Sequence, residues 1–255
     1  MSDVTVNGAS ASASDGADCA TCILSNTASD YDFHVVVCDR VEDDAFVGAL
    51  NTALHEYAAS GQPGSNKSFK LTCCVYSPLE MPGYDVESMV SFILYPAAKI
   101  FAFEPKPEFM PTIASIIYSQ AIGDTSFDLA SQGILSCPVP WQTLFLVCAH
   151  AARDKRCGRA GPQIIQSLEQ AIEEACETPL TTSAGIISLQ PGQVKILPSS
   201  HIGGHKFAGT LIVYPSGHWY GHISKGNSKE LLGNVLLESP MPKCFRGKGL
   251  HSLDF

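Results

Sequence analysis

The chain has 255 residues, of which 45% are hydrophobic and 16% are charged, so it can bury the core of one large domain or of two small ones. Its 16 lysine and arginine residues are outnumbered by 25 aspartate and glutamate residues, and the formal charge of -9 argues against a broad surface for nucleic acid or anionic membranes. The most apolar stretch, 88–103, contains Pro96 and Lys99 and is too short to cross a bilayer as a helix, so we expect no membrane association.

Residues 1–30 are rich in small polar residues and lack hydrophobic periodicity, which predicts a flexible tail. This segment has no basic start and no apolar run of signal-peptide length, and the chain carries ten cysteines, so we expect a reducing, cytoplasmic location. Cys19 and Cys22 have the spacing of a redox pair or of half a zinc site, but no second pair or nearby histidine completes such a site. Whether they form a redox or zinc site or are incidental thiols stays open.

The first half of the chain, 31–120, begins with a short apolar run, FHVVVC, that is typical of a buried strand. Apolar residues at helical spacing predict a helix over 42–59, which ends at the glycines and proline of 61–64. Three strand-like runs follow, FKLTCCVY, SMVSFILYP and KIFAFE, and a second helix is predicted over 107–120. The predicted order is β-α-β-β-β-α.

After a segment of mixed turn residues, 121–140, which we interpret as a linker, the same order begins again in the second half, 141–255. LFLVC, ending at Cys148, predicts a buried strand, and a helix is predicted over 162–177, with a proline in its first turn. VKILP predicts the next strand, and FAGTLIVYP and HWYGHIS predict a hairpin. A closing helix is predicted over 228–237.

The two halves also match in sequence. Residues 34–38 resemble 144–148, and 92–96 resemble 211–215, which indicates an internal repeat. Because apolar strands resemble one another in general, a chance match is the alternative. A β-α-β unit followed by an antiparallel hairpin and a helix is typical of a thioredoxin-like fold. We therefore predict an α/β protein made of two tandem thioredoxin-like units.

Two segments of the second half carry cysteine and histidine at spacings that suit a metal site. CAHAARDKRCGRAGP places Cys148 and Cys157 nine positions apart, where a strand leads into a helix. SSHIGGHKF places His201 and His205 four positions apart, and the two glycines between them allow the loop to fold tightly enough for both imidazoles to turn toward one point. Two thiols and two imidazoles form a complete set of four ligands.

Zinc fingers pair this histidine spacing with a much shorter cysteine loop, whereas a Rieske-type [2Fe-2S] cluster has two Cys on one iron and two His on the other and suits a longer one. His218 and His222 are also four apart, but they lie in a strand-like run, which would separate their Cα atoms by ~13 Å. His150 is two residues from Cys148, and we interpret it as a group that supports a ligand rather than as a ligand.

The motifs VCAHAARDKRCGRAGP, SHIGGHKFAGTLIVYP and GHWYGH resemble the sucrase/ferredoxin-like family of thioredoxin-like ferredoxins, and the resemblance covers 31–237. It implies that the second half binds a [2Fe-2S] cluster through Cys148, Cys157, His201 and His205. It also implies an electron-transfer protein. Cys38 lies where Cys148 does in the repeat, but the segment DRVEDDAF after it has no second cysteine and 77–88 has no histidine pair, so we expect a first half without a cluster.

Neutral imidazole ligands should give the cluster a higher reduction potential than four thiolates would. Exposed ring nitrogens would couple reduction to protonation, because the added electron raises imidazole basicity. Several cations crowd the two ligand segments, and they form either a solvated loop or a docking patch for an acidic redox partner: Arg153, Lys155, Arg156, Arg159 and Lys206.

Two other functions remain open: a thiol–disulfide redox protein that uses Cys148 and Cys157, and a binding module stapled by zinc. Whether the protein is an enzyme also stays open, although an electron carrier is favoured. The acidic pairs at 43–44 and 173–174 lie on helix-like segments, where solvated faces are usual, so we expect no glycoside hydrolysis.

The chain ends in Leu253, Asp254 and Phe255. This tripeptide resembles the C-terminal signal by which the cytosolic iron-sulfur assembly machinery recognises many of its clients. It predicts that machinery as a partner.

Overall fold

Each half of the chain contains a strand–helix–strand unit, an antiparallel hairpin and a further helix. The protein is seen in a computed structural model that describes residues 24–40, 44–76, 89–124, 126–239 and 241–251. The pair Cys19 and Cys22 and the tripeptide 253–255 lie outside the described residues.

In the first half, α1 begins where the Asp44 carboxylate accepts a hydrogen bond of 2.8 Å from the Phe46 amide. Part of the segment 121–140, predicted as a linker, forms a strand, β5, that pairs antiparallel with β4. The elements are β1 (Phe33–Cys38), α1 (Ala45–Ala58), β2 (Phe69–Cys74), β3 (Val90–Tyr95), β4 (Lys99–Phe103), α2 (Met110–Ala121) and β5 (Leu135–Pro138).

The second half contains the predicted elements and three strands that no sequence pattern predicted, the short hairpin β7–β8 and the final strand β12. Its first helix begins at Lys155, so the predicted start at Pro162 is wrong. The elements are β6 (Thr143–Cys148), α3 (Lys155–Glu177), β7 (Leu180–Thr182), β8 (Gly185–Ile187), β9 (Val194–Ser199), β10 (Leu211–Tyr214), β11 (His218–Tyr220), α4 (Ser228–Leu236) and β12 (Phe245–Lys248).

Strand order and direction are the same in the two halves. In the first half the order is β2-β1-β3-β4, where β1 is parallel to β2 and antiparallel to β3. In the second half the order is β9-β6-β10-β11, where β6 is parallel to β9 and antiparallel to β10. Each half is thus a β-α-β crossover extended by an antiparallel hairpin. The predicted α/β fold of two thioredoxin-like units is confirmed.

The two half-sheets join into one ten-stranded sheet where β2 and β9 pair antiparallel through Cys74 and Ser199. Their helix-free faces also pack against each other, since Tyr95 stacks on Tyr214 with a ring separation of 4.0 Å. The helices cover the outer faces. The molecule therefore has helix, sheet, sheet and helix layers, and the carboxyl ends of β1, β2, β6 and β9 meet at its centre.

Residues 24–30, which the sequence assigns to the tail, contact the last strand. The amides of Thr27 and Ala28 donate to the carbonyl of Arg246 on β12, at 2.9 and 3.3 Å. Among the described helices, none combines the length and the hydropathy needed to cross a bilayer.

Candidate metal centre

Cys148 ends β6, and its side chain points into the layer between the two half-sheets, where it is buried. Its amide donates to the carbonyl of Thr210 at 3.1 Å. In a parallel β-α unit the carboxyl end of the strand is where functional side chains gather. The strand therefore fixes this thiol at the junction with α3.

Cys157 lies in the first turn of α3. The Asp154 carboxylate caps this turn by accepting from the Arg156 amide at 2.8 Å, and it also binds the Arg156 guanidinium. The hydrogen bond from the Arg156 side chain is the main reason why the pKa of Asp154 lies well below its usual range. Because α3 begins at Lys155, Cys157 is held on a rigid element rather than in a loop.

Two glycines let α3 approach β6 closely enough for the two thiols to meet. A Cβ at Gly161 would lie 2.5 Å from the Cys148 carbonyl oxygen, and a Cβ at Gly158 would lie 2.4 Å from the Ala151 Cβ. Any larger residue at these positions would push the helix away from the strand. The early helix start and these two glycines together bring Cys157 to Cys148.

The loop after β9 carries the two histidines. Gly203 and Gly204 adopt positive φ angles of 100° and 75°, which favour glycine, and the Phe207 amide closes the turn by donating to the Gly204 carbonyl at 2.8 Å. The rings of His201 and His205 lie 5.7 Å apart at an angle of 35°. The loop thus presents both imidazoles on the same side of the molecule.

Three of the four sequence-predicted ligands come together. The thiol sulfurs of Cys148 and Cys157 and a ring nitrogen of His201 all lie within 4.8 Å of one another. His205 is not in this group, and it is exposed beside His201. The structure therefore shows a Cys-Cys-His group with a second imidazole next to it.

The chemistry of this donor set fits a soft or borderline metal centre. Both cysteines are free thiols. Burial, and then the neighbouring Cys148 thiol, raise the pKa of Cys157. Thiols lose their protons when they bind a metal ion, and thiolate–imidazole sets bind zinc or iron–sulfur clusters.

Three other histidines of the second half are held elsewhere. His218 is half-buried on β11 with its ring against Phe245, and burial and then the charge of Lys248 lower its pKa. His222 packs edge-on against Phe207. His150 lines a cleft of about 180 Å³ between the halves, together with Cys74. Within the described residues, none of these three histidines belongs to the Cys-Cys-His group.

The cations that the sequence assigns either to a solvated loop or to a docking patch are all exposed. One of them, Arg156, is paired with Asp154 at 2.9 Å, so its charge is partly neutralised. These five exposed cations are Arg153, Lys155, Arg156, Arg159 and Lys206.

Three residues near the site were missed by the sequence analysis. The Lys70 ammonium donates to the Ile202 carbonyl at 3.1 Å, and the Arg246 guanidinium donates to the Gly203 carbonyl at 3.3 Å. Cys74 lies with its sulfur 4.0 Å from that of Cys38. No motif marks them, because a lone cation or cysteine looks the same in the sequence whether or not it touches a distant loop.

A family model and several known proteins match this chain. The family model described as sucrase/ferredoxin-like matches residues 24–247. Altered inheritance of mitochondria protein 32 from Candida glabrata is 33% identical over 112 residues, which are 40% of this chain and 31% of that protein. The protein of the same name from Meyerozyma guilliermondii is 27% identical over 144 residues, 55% of this chain and 43% of that protein. The chain thus matches less than half of the length of either relative.

Among solved structures, this chain is similar to a thioredoxin-like [2Fe-2S] ferredoxin from Aquifex aeolicus. The match covers 44% of this chain and 96% of the ferredoxin chain, with 17% sequence identity and a TM-score of 0.34.

Proposed function

The chain belongs to the sucrase/ferredoxin-like family, and from that premise we propose that it is an electron-transfer protein carrying a [2Fe-2S] cluster. Cys148, Cys157, His201 and His205 are its proposed ligands. The observation that carries the proposal is the group formed by two buried thiols and the His201 ring, with the His205 ring adjacent.

Each part of the chain has a separate task in this function. A bound cluster supplies one-electron chemistry. The carboxyl end of β6 and the first turn of α3 hold the two thiols in a buried layer, where water is excluded. The glycine loop holds the imidazoles, and His205 lies at the surface, where a redox partner can approach.

The proposed partner is an acidic redox protein. Lys206, next to His205, and the exposed cations of the segment around Cys157 are positive charges on a chain that is negative overall. Charge complementarity of this kind speeds association and orients the partner. We propose that electrons pass through the exposed His205 edge.

The same residues offer two other functions. Zinc would accept two thiolates and two imidazoles, and Cys148 and Cys157 are close enough to act as a dithiol. The dithiol is disfavoured, because burial raises the pKa of Cys157 and a protonated thiol is a poor nucleophile.

Anaerobic purification of the full chain, followed by an absorption spectrum and by analysis of iron, sulfide and zinc, tests the proposal. We expect a coloured protein with iron and acid-labile sulfide in equal amounts. A colourless protein that contains zinc would support the zinc-stapled module, and a colourless metal-free protein with a Cys148–Cys157 disulfide would support the dithiol.

Two expectations from the sequence stay predictions. One is the cytoplasmic location. The other is recognition of the C-terminal tripeptide 253–255 by the iron-sulfur assembly machinery, since that segment lies outside the described residues.

A further inference from the structure

Arg246 is a buried cation directly beneath the histidine loop. Its exposed fraction is 2%, although it lies on β12, the last strand of the sheet. Its guanidinium donates to the Thr27 carbonyl at 2.7 Å, to the Thr27 hydroxyl at 3.1 Å and to the Gly203 carbonyl at 3.3 Å. One arm of the side chain therefore anchors the segment before β1, and another holds the loop midway between the two histidines.

Within the described part of the chain, no carboxylate pairs with Arg246. Its acceptors are carbonyl and hydroxyl oxygens, and its guanidinium stacks over the rings of Trp219 and Phe207, at 5.0 and 5.2 Å. Burial lowers the pKa of Arg246 to about 10, so the side chain stays protonated at neutral pH. Burying a charge without a counter-ion is costly, so this position calls for an explanation beyond packing.

A second cation binds the same loop from the other half of the molecule. Lys70 on β2 donates to the Ile202 carbonyl at 3.1 Å, and its ammonium lies 4.9 Å from the Trp219 ring centroid. The carbonyls of Ile202 and Gly203, which are consecutive in the chain, are thus each held by a cation, and Trp219 lies against both cations.

The loop is shaped around the guanidinium. A Cβ at Gly204 would lie 2.3 Å from one terminal nitrogen of Arg246 and 2.5 Å from its central carbon. Gly204 is therefore required by contact with Arg246 as well as by its positive φ. This close fit makes the position of the loop depend on the position of the guanidinium.

We propose that Arg246, assisted by Lys70, is a positioning residue that holds the His201–His205 loop for cluster binding and favours reduction of the bound cluster. The inference rests on the proposed function. Reduction adds one negative charge at the ligands, and a fixed cation bonded to the loop between them stabilises that charge more strongly in a buried site than in water. The cation without a carboxylate partner thereby acquires a counter-charge when the cluster is reduced.

Two measurements on four variants of the full chain test this inference. Hydrogen exchange of the metal-free protein measures how firmly the His201–His205 loop is held. The midpoint potential of the cluster-loaded protein measures how much the charge at position 246 favours reduction. Arg246→Gln removes the charge, Arg246→Lys keeps the charge but loses the planar fork, and Lys70→Gln removes the second cation. Lys248→Gln is the matched control, because Lys248 is exposed on the same strand.

For Arg246→Gln we expect faster exchange at the amides of 202–205 and a midpoint potential lower than in the wild type and in Lys248→Gln. For Arg246→Lys we expect faster loop exchange with a potential close to that of the wild type, since the charge is retained. A potential for Arg246→Gln equal to that of Lys248→Gln, or unchanged loop exchange, would overturn the inference.

If Arg246→Gln does not fold, Lys70→Gln takes its place. We then expect faster exchange at 202–205 and a lower midpoint potential in Lys70→Gln, and unchanged exchange or a potential equal to that of Lys248→Gln would overturn the inference. Failure of this inference is distinct from failure of the proposed function. A wild-type protein without a cluster contradicts the proposed function, and loop exchange in the metal-free variants still tests the positioning role.

Discussion

Cys148 and Cys157 are the only two of the eight cysteines among the described residues that join a histidine in a group of possible metal ligands. Cys38 is the informative comparison, because it ends β1 as Cys148 ends β6 and is equally buried. Its close neighbour is the sulfur of Cys74 and not an imidazole. Position at a strand end is thus shared by the two halves, and among the described residues only the second half adds a second thiol from α3 and the histidine loop.

We expect Cys148→Ser or Cys157→Ser to abolish iron binding and colour, because a serine hydroxyl is a poor substitute for a thiolate in a cluster. Cys38→Ser is the matched control, since it makes the same change at the equivalent strand end. Iron analysis and the visible spectrum measure the effect. Loss of iron in Cys38→Ser, or its retention in Cys148→Ser, would contradict the assignment.

The exposed ring of His205 leads to a prediction about pH. If a ligand imidazole takes up a proton when the cluster is reduced, the midpoint potential falls as pH rises between the pKa of the oxidised state and that of the reduced state. The slope is about 59 mV per pH unit for one proton per electron. Protein-film voltammetry measures it in the neutral to alkaline range. A midpoint potential that does not change with pH would contradict proton-coupled reduction but not electron transfer itself.

At the scale of elements, the apolar runs at 33–38 and 144–148 predict β1 and β6, because short runs of consecutive apolar residues are typical of buried strands. The sequence predicts a start of α3 at Pro162, since proline is common in the first turn of a helix. The structure begins the helix at Lys155, where Asp154 provides the cap. Sequence spacing singled out the proposed ligands, but the contact that brings Cys157 to Cys148 depends on that earlier turn.

The strand β12 could not be predicted, because FRGK has neither alternation nor β-branched residues. It forms by pairing with β11, and its buried Arg246 is satisfied by residues distant in sequence. Sequence patterns could not predict that Lys70 and Arg246 bind the histidine loop, because lysine and arginine are expected at the surface.

The close approach of α3 and β6 is tested by Gly161→Ala. The new Cβ would meet the Cys148 carbonyl oxygen at 2.5 Å, so we expect unfolding to become easier by about 1–3 kcal/mol and cluster loading to fall. Gly48→Ala on α1 is the control, because a Cβ there has nothing within 4 Å and alanine favours a helix by about 1 kcal/mol. Denaturant unfolding and iron analysis measure both effects. Equal stability of the two variants would contradict the packing argument.

At the scale of the whole molecule, the two halves are joined by a buried polar network in the central layer. The Tyr214 hydroxyl bonds to His34 Nδ1 on β1 and, at 2.9 Å, to the Tyr31 hydroxyl. The Trp219 indole donates to Tyr31 at 3.2 Å. The repeat of element order predicted two similar units, but it could not predict that their helix-free faces pack together, since that contact depends on side chains 180 or more residues apart.

This network makes stability depend on pH. Burial, and then the charge of Lys70, lower the pKa of His34 well below its usual value, so the imidazole is neutral in the folded state. Below about pH 6.5 the unfolded chain binds a proton that the folded chain does not, and the free energy of unfolding therefore falls as pH drops.

Urea titrations between pH 8 and pH 5.5 measure this slope. His218, whose pKa is also lowered, contributes with the same sign, so the comparison of wild type with His34→Gln decides. We expect a shallower slope in His34→Gln and an unchanged slope in the control His251→Gln, at an exposed position. An equal slope in wild type and His34→Gln would show that His34 is not the group responsible.

Pulsed electron paramagnetic resonance of the reduced full chain, with ¹⁵N-labelled histidine, tests the central claim most directly. Two thiolates and two imidazoles at one cluster predict a signal typical of a reduced [2Fe-2S] centre, with strong nitrogen couplings from two histidines. Replacing His205 should remove one of the two couplings. A cluster signal without strong histidine coupling, or a reduced protein with no cluster signal, would contradict the account.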